Sequence, residues 1–162
     1  MIESSVLEKI ISGGQTGADR AALDFALAHG IPHGGSCPRG RQAEDGPLAA
    51  RYQLTETPSA DSAQRTEWNV RDADATVIFS VAPVLAGGSR MTAEFALRHR
   101  KPCLHLSRER DGEAAARKLS EFLATRQVKV LNVAGPRQSE EAEVAGFSRE
   151  TLERAVGEAR AT

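Results

Sequence analysis

Short β-branched runs alternate along this chain with longer segments of helical periodicity. That alternation limits the fold more than any other feature, because it is the pattern of an α/β protein with a mainly parallel sheet. Strands are expected over residues 6–12, 75–81, 102–106 and 128–133, and the second is the clearest core strand because Thr76, Val77, Ile78 and Phe79 are all β-formers. Residues 31–35 are expected to supply only a stub, since Pro32 removes a ladder donor and the glycines after it weaken the strand. Helices are expected over 18–29, 61–71, 92–100, 113–126 and 151–160, the last as a surface helix, and 37–47 reads as a loop. The expectation is one domain, residues 1–162, with three α/β/α layers around about five or more parallel strands.

A chain of 162 residues with 40% apolar and 27% charged side chains suits a single soluble globular domain. No apolar run approaches a membrane span, and Met1-Ile2-Glu3-Ser4-Ser5 carries no signal or lipidation pattern. No membrane partner is therefore expected, and the cytoplasm is the expected compartment. Cys37 and Cys103 are too few for a disulfide framework or a four-ligand zinc site, and no Cys/His spacing suggests a metal. Cys37 stands in a polar loop where a soft ligand, a reactive thiol and a structural role all stay open, whereas Cys103 beside Leu104 reads as a small core residue. Lys and Arg number 21 against 22 acids, a formal charge of −1, which argues against general adhesion to nucleic acid. Any anion has to be held locally.

Three glycine turns are placed to do that. Parallel α/β sheets bind ligands outside the carboxyl ends of their strands, where backbone amides and helix N-termini face an anion. The first turn, Ser12-Gly13-Gly14-Gln15-Thr16-Gly17-Ala18-Asp19, keeps the second and third glycines of the dinucleotide fingerprint but has Ser12 in place of the first. It lacks a Gly-Lys-Ser/Thr, and no acid ends the stub strand to hold an adenosine ribose, so no NAD is expected. The second turn, Ala86-Gly87-Gly88-Ser89-Arg90-Met91-Thr92, adds hydroxyls and a guanidinium, and the third, Asn132 to Ser139, carries Gly135 and Arg137. The polar loop from Cys37 to Gly46 offers Arg39 and Arg41 ahead of Glu44 and Asp45. The expected binding set is Gly13, Gly14, Gln15, Thr16, Gly17, Arg39, Arg41, Gly87, Gly88, Ser89, Thr92, Gly135 and Arg137. His29 and His105 read as structural, and Trp68 as packed.

Four segments carry a family resemblance: Ile11-Ser12-Gly13-Gly14-Gln15-Thr16-Gly17-Ala18-Asp19; Cys37-Pro38-Arg39-Gly40-Arg41 with Ala43-Glu44-Asp45-Gly46; Arg65-Thr66-Glu67 with Asn69-Val70; and Asn132-Val133-Ala134-Gly135-Pro136-Arg137. In order and spacing they resemble the molybdenum cofactor carrier proteins over nearly the whole chain. That family falls in a larger Rossmann-like group, the SLOG superfamily, with the lysine-decarboxylase-like phosphoribohydrolases. Two positions depart from the family's pattern: Ser36, where an aromatic usually stands, and Ser89, where threonine does. The resemblance implies a Rossmann-like fold and binding of molybdenum cofactor, a phosphate-bearing pterin dithiolene with a molybdenum oxo centre, at the glycine turns. It implies a carrier that shields this anion and releases it to a molybdoenzyme apoprotein, and related binders commonly form homo-oligomers, a dimer or tetramer. Two other readings are carried. A nucleoside-monophosphate phosphoribohydrolase would need a carboxylate, for which Glu94 is the candidate, but Ala86 replaces the proline of that group's Pro-Gly-Gly turn. A nucleotide-derived signal sensor would need an effector domain.

Overall fold

The computed structural model describes residues 7–158. The expected strand start at Val6, the opening Met1–Ser5 and the expected helix end at 159–160 lie outside the described residues. Five parallel strands form the central sheet: β1 (Lys9–Ile11), β2 (His33–Gly34), β3 (Ala75–Ser80), β4 (Cys103–Ser107) and β5 (Val130–Ala134). Their spatial order is β2-β1-β5-β3-β4. The register sets Ile10 against Leu131, Val77 against Val133 and Ile78 against His105. Every residue of β3 is buried, as a strand covered on both faces requires.

The longer helices are α1 (Ala18–Ala28), α2 (Ser62–Asp72), α3 (Gly87–Arg98), α4 (Ala115–Thr125) and α5 (Val144–Leu152), the last running on to Gly157 in a wider turn. On one side of the sheet Phe25 of α1, Leu119 of α4 and Phe147 and Leu152 of α5 close over Val77, Phe79, Leu131 and Val133. On the other side α2 and α3 pack through Val70, Phe95 and Ala96. Each fully buried side chain of this size contributes about 1.5–3 kcal/mol, so the three-layer α/β/α Rossmann-like arrangement follows from where the apolar residues fall. Among the described residues no helix is long and apolar enough to cross a membrane.

Four expectations are corrected. Cys103, expected in the core, is exposed at the start of β4. The Gly87-Gly88 pair is the first turn of α3 rather than a connection ahead of a helix at Thr92, with Gly87 at φ +54° where a side chain would be strained. The closing helix starts at Val144 and buries Val144, Phe147, Ser148, Thr151 and Leu152, so it is a core element rather than a surface one. The 37–47 stretch is partly ordered. Ser36–Cys37 pairs with Thr55–Glu56, and Gln42–Ala43 pairs with Gly46–Pro47 to make a short hairpin tipped by Glu44 and Asp45. Cys37 itself is buried against Leu23, Leu48 and Tyr52, and burial pushes its thiol pKa up, the setting of a packing residue.

Candidate functional site

At the carboxyl ends of β5 and β3 the sheet opens into a cleft of about 270 Å³. All three glycine turns reach it: Gly13 and Gln15 from the first, Gly87, Gly88, Ser89 and Thr92 from the second, Gly135 and Arg137 from the third. The N-cap of α3 is Ala86, which supplies no side-chain hydrogen bond, so the helix's leading N–H groups remain available at Gly87, Gly88 and Ser89. Gly135 lies where a Cβ would come within 2.4 Å of the Phe79 carbonyl, which is why this turn can close against β3.

The other expected residues are placed elsewhere. A Cβ on Gly14 would come within 2.7 Å of Leu54, so Gly14 faces the small apolar cluster. Thr16 and Gly17 line a second, more open groove behind the first turn. Gly17 has φ +81° and lies where a Cβ would come within 2.4 Å of the Pro136 carbonyl, letting the first and third turns touch. Arg39 is exposed, and Arg41 donates to the carbonyls of Ala49 (3.0 Å), Tyr52 (2.8 Å) and Leu54 (3.4 Å). Neither arginine lines the cleft. Glu94 is 56% exposed beside Arg90, also off the cleft wall. The four histidines contact Glu153, Gln53, Glu67 and Ser80, and none lines the cleft. Among the described residues no cluster of three or more His, Cys, Asp or Glu could hold a metal ion.

What the residue pattern did not single out as binding groups is the charged floor of the cleft. Arg65, from the middle of α2, lies only 13% exposed with Nη1 3.3 Å from Asp19 Oδ2. A Cβ on Gly13 would sit 1.9 Å from that Nη1, so the glycine is what admits the guanidinium. The carboxylate of Asp19 also accepts from the Gln15 N–H (3.3 Å). Burial pushes the Asp19 carboxyl up to about 6, against the lowering effect of Arg65 and of that N–H. Among the described residues two buried side-chain polar atoms have no hydrogen-bond partner, Arg65 Nε and Ser89 Oγ. Both belong to residues that line this one cleft. Buried polar groups are almost always satisfied, so two orphans in one cavity point to a polar guest. Arg65 was visible in the sequence only as part of a family motif, because no local pattern shows that a mid-helix arginine turns inward.

Asn69 holds the chain at Ser36 by accepting from its N–H (2.7 Å) and donating to its carbonyl (3.0 Å), so Ser36 packs under the site rather than lining it. The segment after β3 is fixed from the third turn's side, where the Glu141 carboxylate accepts from the N–H groups of Val81 (2.7 Å) and Ala82 (3.0 Å).

Residues 10–156 match the model of the circularly permutated YpsA SLOG family. No curated protein matches significantly. The chain is similar to a protein of known crystal structure from Syntrophus aciditrophicus SB, named as a candidate molybdenum carrier protein, with 46% identity and a TM-score of 0.93 over 95% of this chain and 98% of that one. Both findings support the family read from the motifs. The topology agrees with a permutation: counted from β5, the strand order β2-β1-β5-β3-β4 becomes 3-2-1-4-5, that of a doubly wound nucleotide-binding sheet whose first strand has moved to the end of the chain. The cleft then falls at the switch point, between β5 and β3, where such sheets bind ligands. The chain belongs to the circularly permutated YpsA SLOG family.

Proposed function

We propose that this chain is a carrier that binds and protects an anionic, phosphate-bearing pterin, the molybdenum cofactor, at the glycine turns and passes it to a molybdoenzyme apoprotein. The observation that carries the reading is the pair of orphaned buried donors, Arg65 Nε and Ser89 Oγ, in one cleft with the uncapped start of α3. A guanidinium N–H, a hydroxyl and helix N-terminal amides make a receptor for an oxyanion. Gly87, Gly88, Ser89, Thr92, Gly135 and Arg137 line its wall, with Glu140 holding Arg137 at 3.0 Å. A volume of about 270 Å³ lies below the range of pockets that enclose a whole organic ligand, which suits capture of a charged end with the ring system extending from the mouth. The name of the Syntrophus relative supports molybdenum cargo for this chain as well.

Mass spectrometry of ligand released from anaerobically purified protein, together with its molybdenum content, tests this directly. A phosphorylated pterin lost in Arg65→Ala and Ser89→Ala is the expected result, and a non-anionic ligand overturns the reading. As part of the proposal the carrier is a homo-oligomer, since Leu97 and Val84 are 81% and 77% exposed. One observation favours a phosphoribohydrolase-like enzyme instead: Asp19 lines the cleft with a carboxyl pushed up to about 6, suited to acid–base work, whereas Glu94 is 56% exposed and off the cleft wall. Release of free base from adenosine monophosphate, abolished by Asp19→Asn, would decide for that reading.

A further inference from the structure

The hairpin tip at Glu44 does something unusual for a surface acid. Its carboxylate accepts from Thr16 Oγ1 (2.5 Å), Ser139 N–H (3.0 Å) and Ser139 Oγ (2.6 Å), with Arg137 Nε 3.9 Å away. These groups come from the first and third glycine turns, at the carboxyl edge of the sheet. Thr16 Oγ1 accepts in turn from the Gln138 N–H (3.0 Å), so its hydrogen is directed at the carboxylate. Two hydroxyls and an amide donate to this one carboxylate, and the Arg137 guanidinium, whose Nε donates to Glu140 (3.0 Å), stands beside it as a nearby positive charge, which together make the setting of an oxyanion receptor. The receptor is filled by the protein's own side chain.

We propose that Thr16, Ser139 and Arg137 form a second anion subsite, occupied by Glu44 at rest and taken by a phosphate or carboxylate group of a ligand when the 42–47 hairpin lifts. Three further observations support this. Apart from its own ladder, the flanking Leu48 N–H to Arg41 carbonyl bond (2.8 Å) and Ala43 on the small apolar cluster, the hairpin is held by polar contacts at its tip: those of the Glu44 carboxylate, the Glu44 N–H to Gln15 Oε1 (2.8 Å) and the forked pair of Asp45 with Arg20 (2.9 and 3.1 Å). Asp45 is 51% and Arg20 19% exposed, so this forked pair is the main charged contact that lifting has to break. The groove behind Thr16 has a volume of about 720 Å³ and is lined by Arg20 and Arg149 against Asp24, Glu44 and Asp45. With Glu44 and Asp45 withdrawn its lining passes from one net negative to one net positive charge. Finally, Arg137 lines the main cleft and also faces Glu44, so one ligand with two anionic ends reaches both subsites. In that last respect the inference rests on the reading of the cleft as an anion site.

Isothermal titration with inorganic phosphate tests it in an Arg65→Ala background, which removes the main-cleft donor. Adding Glu44→Ala is expected to raise phosphate affinity about tenfold or more, because a tethered carboxylate competes at millimolar effective concentration. Adding Ser139→Ala to that double variant is expected to abolish the gain. Phosphate affinity within about twofold of the Arg65→Ala protein, with an unchanged melting curve, overturns the proposal. If Glu44→Ala does not fold, Glu44→Gln removes the charge, keeps the side chain's size and carries the same two outcomes. Comparing parent with Arg65→Ala reads the main cleft separately, so either site can fail while the other stands.

Discussion

The buried pair of Asp19 and Arg65 predicts a specific pH dependence of stability. The Asp19 carboxyl is raised from 3.8 to about 6 because burial outweighs its compensation by Arg65. The folded state therefore holds a proton that the unfolded state releases. Its contribution is fully favourable below about 3.8, is lost as pH rises through about 6, and is flat above that. The shift corresponds to about 3 kcal/mol, most of it falling between pH 4 and pH 6. Asp19→Asn removes the titration while keeping an oxygen for the Gln15 N–H. Urea unfolding of both proteins across pH 4 to 7 isolates the effect, since the other carboxylates cancel in the difference. Relative to the variant, the parent is expected to lose about 2 kcal/mol between pH 4 and pH 6. A difference constant within about 0.5 kcal/mol over that range would refute the reasoning, because Asp19 would then titrate at its ordinary value when folded.

Gly13→Ala should weaken phosphate binding about as much as Arg65→Ala does while leaving the far-UV spectrum intact, because its Cβ would lie 1.9 Å from Arg65 Nη1; calorimetric titration reads this. Asp111 is fully buried and accepts from the Ser107 N–H (2.8 Å), Arg110 (2.8 Å) and Lys118 (2.6 Å), which hold its carboxyl well below the usual carboxylate range. Asp111→Ala should cost about 3 kcal/mol in urea unfolding at pH 7, and the loss should shrink as pH falls below the ordinary carboxylate range, where the parent's advantage disappears. Leu97→Glu, on the 81% exposed position of α3, should convert the proposed oligomer to a monomer in light scattering without changing the melting temperature by more than about 2 °C.

The strands of the central sheet and the positions of the glycine-rich segments were legible in the chain because each depends on neighbours within a few residues, although Gly87-Gly88 opens α3 rather than preceding it. Thr76 to Phe79 favour extended backbone wherever they stand, and Gly17 or Gly87 marks a positive φ that other side chains rarely adopt. Their common edge followed from parallel pairing, so the convergence of three turns was readable as well. Tertiary structure alone decided the rest. Arg65 is 46 residues from Asp19, and nothing in 61–71 shows that this arginine of α2 faces the cleft and not solvent. Arg41 and Thr16 have the chemistry of anion ligands, yet Arg41 holds backbone carbonyls and Thr16 holds Glu44. The place of the last strand at the centre of the sheet is equally nonlocal. The chain's alternation specifies parallel strands, but their order depends on which apolar faces the helices cover, and that is settled only when α1, α4 and α5 close over one side together. Local conformational preference is a property of a few residues, whereas the direction of a polar side chain depends on the partners that folding brings to it from far along the chain.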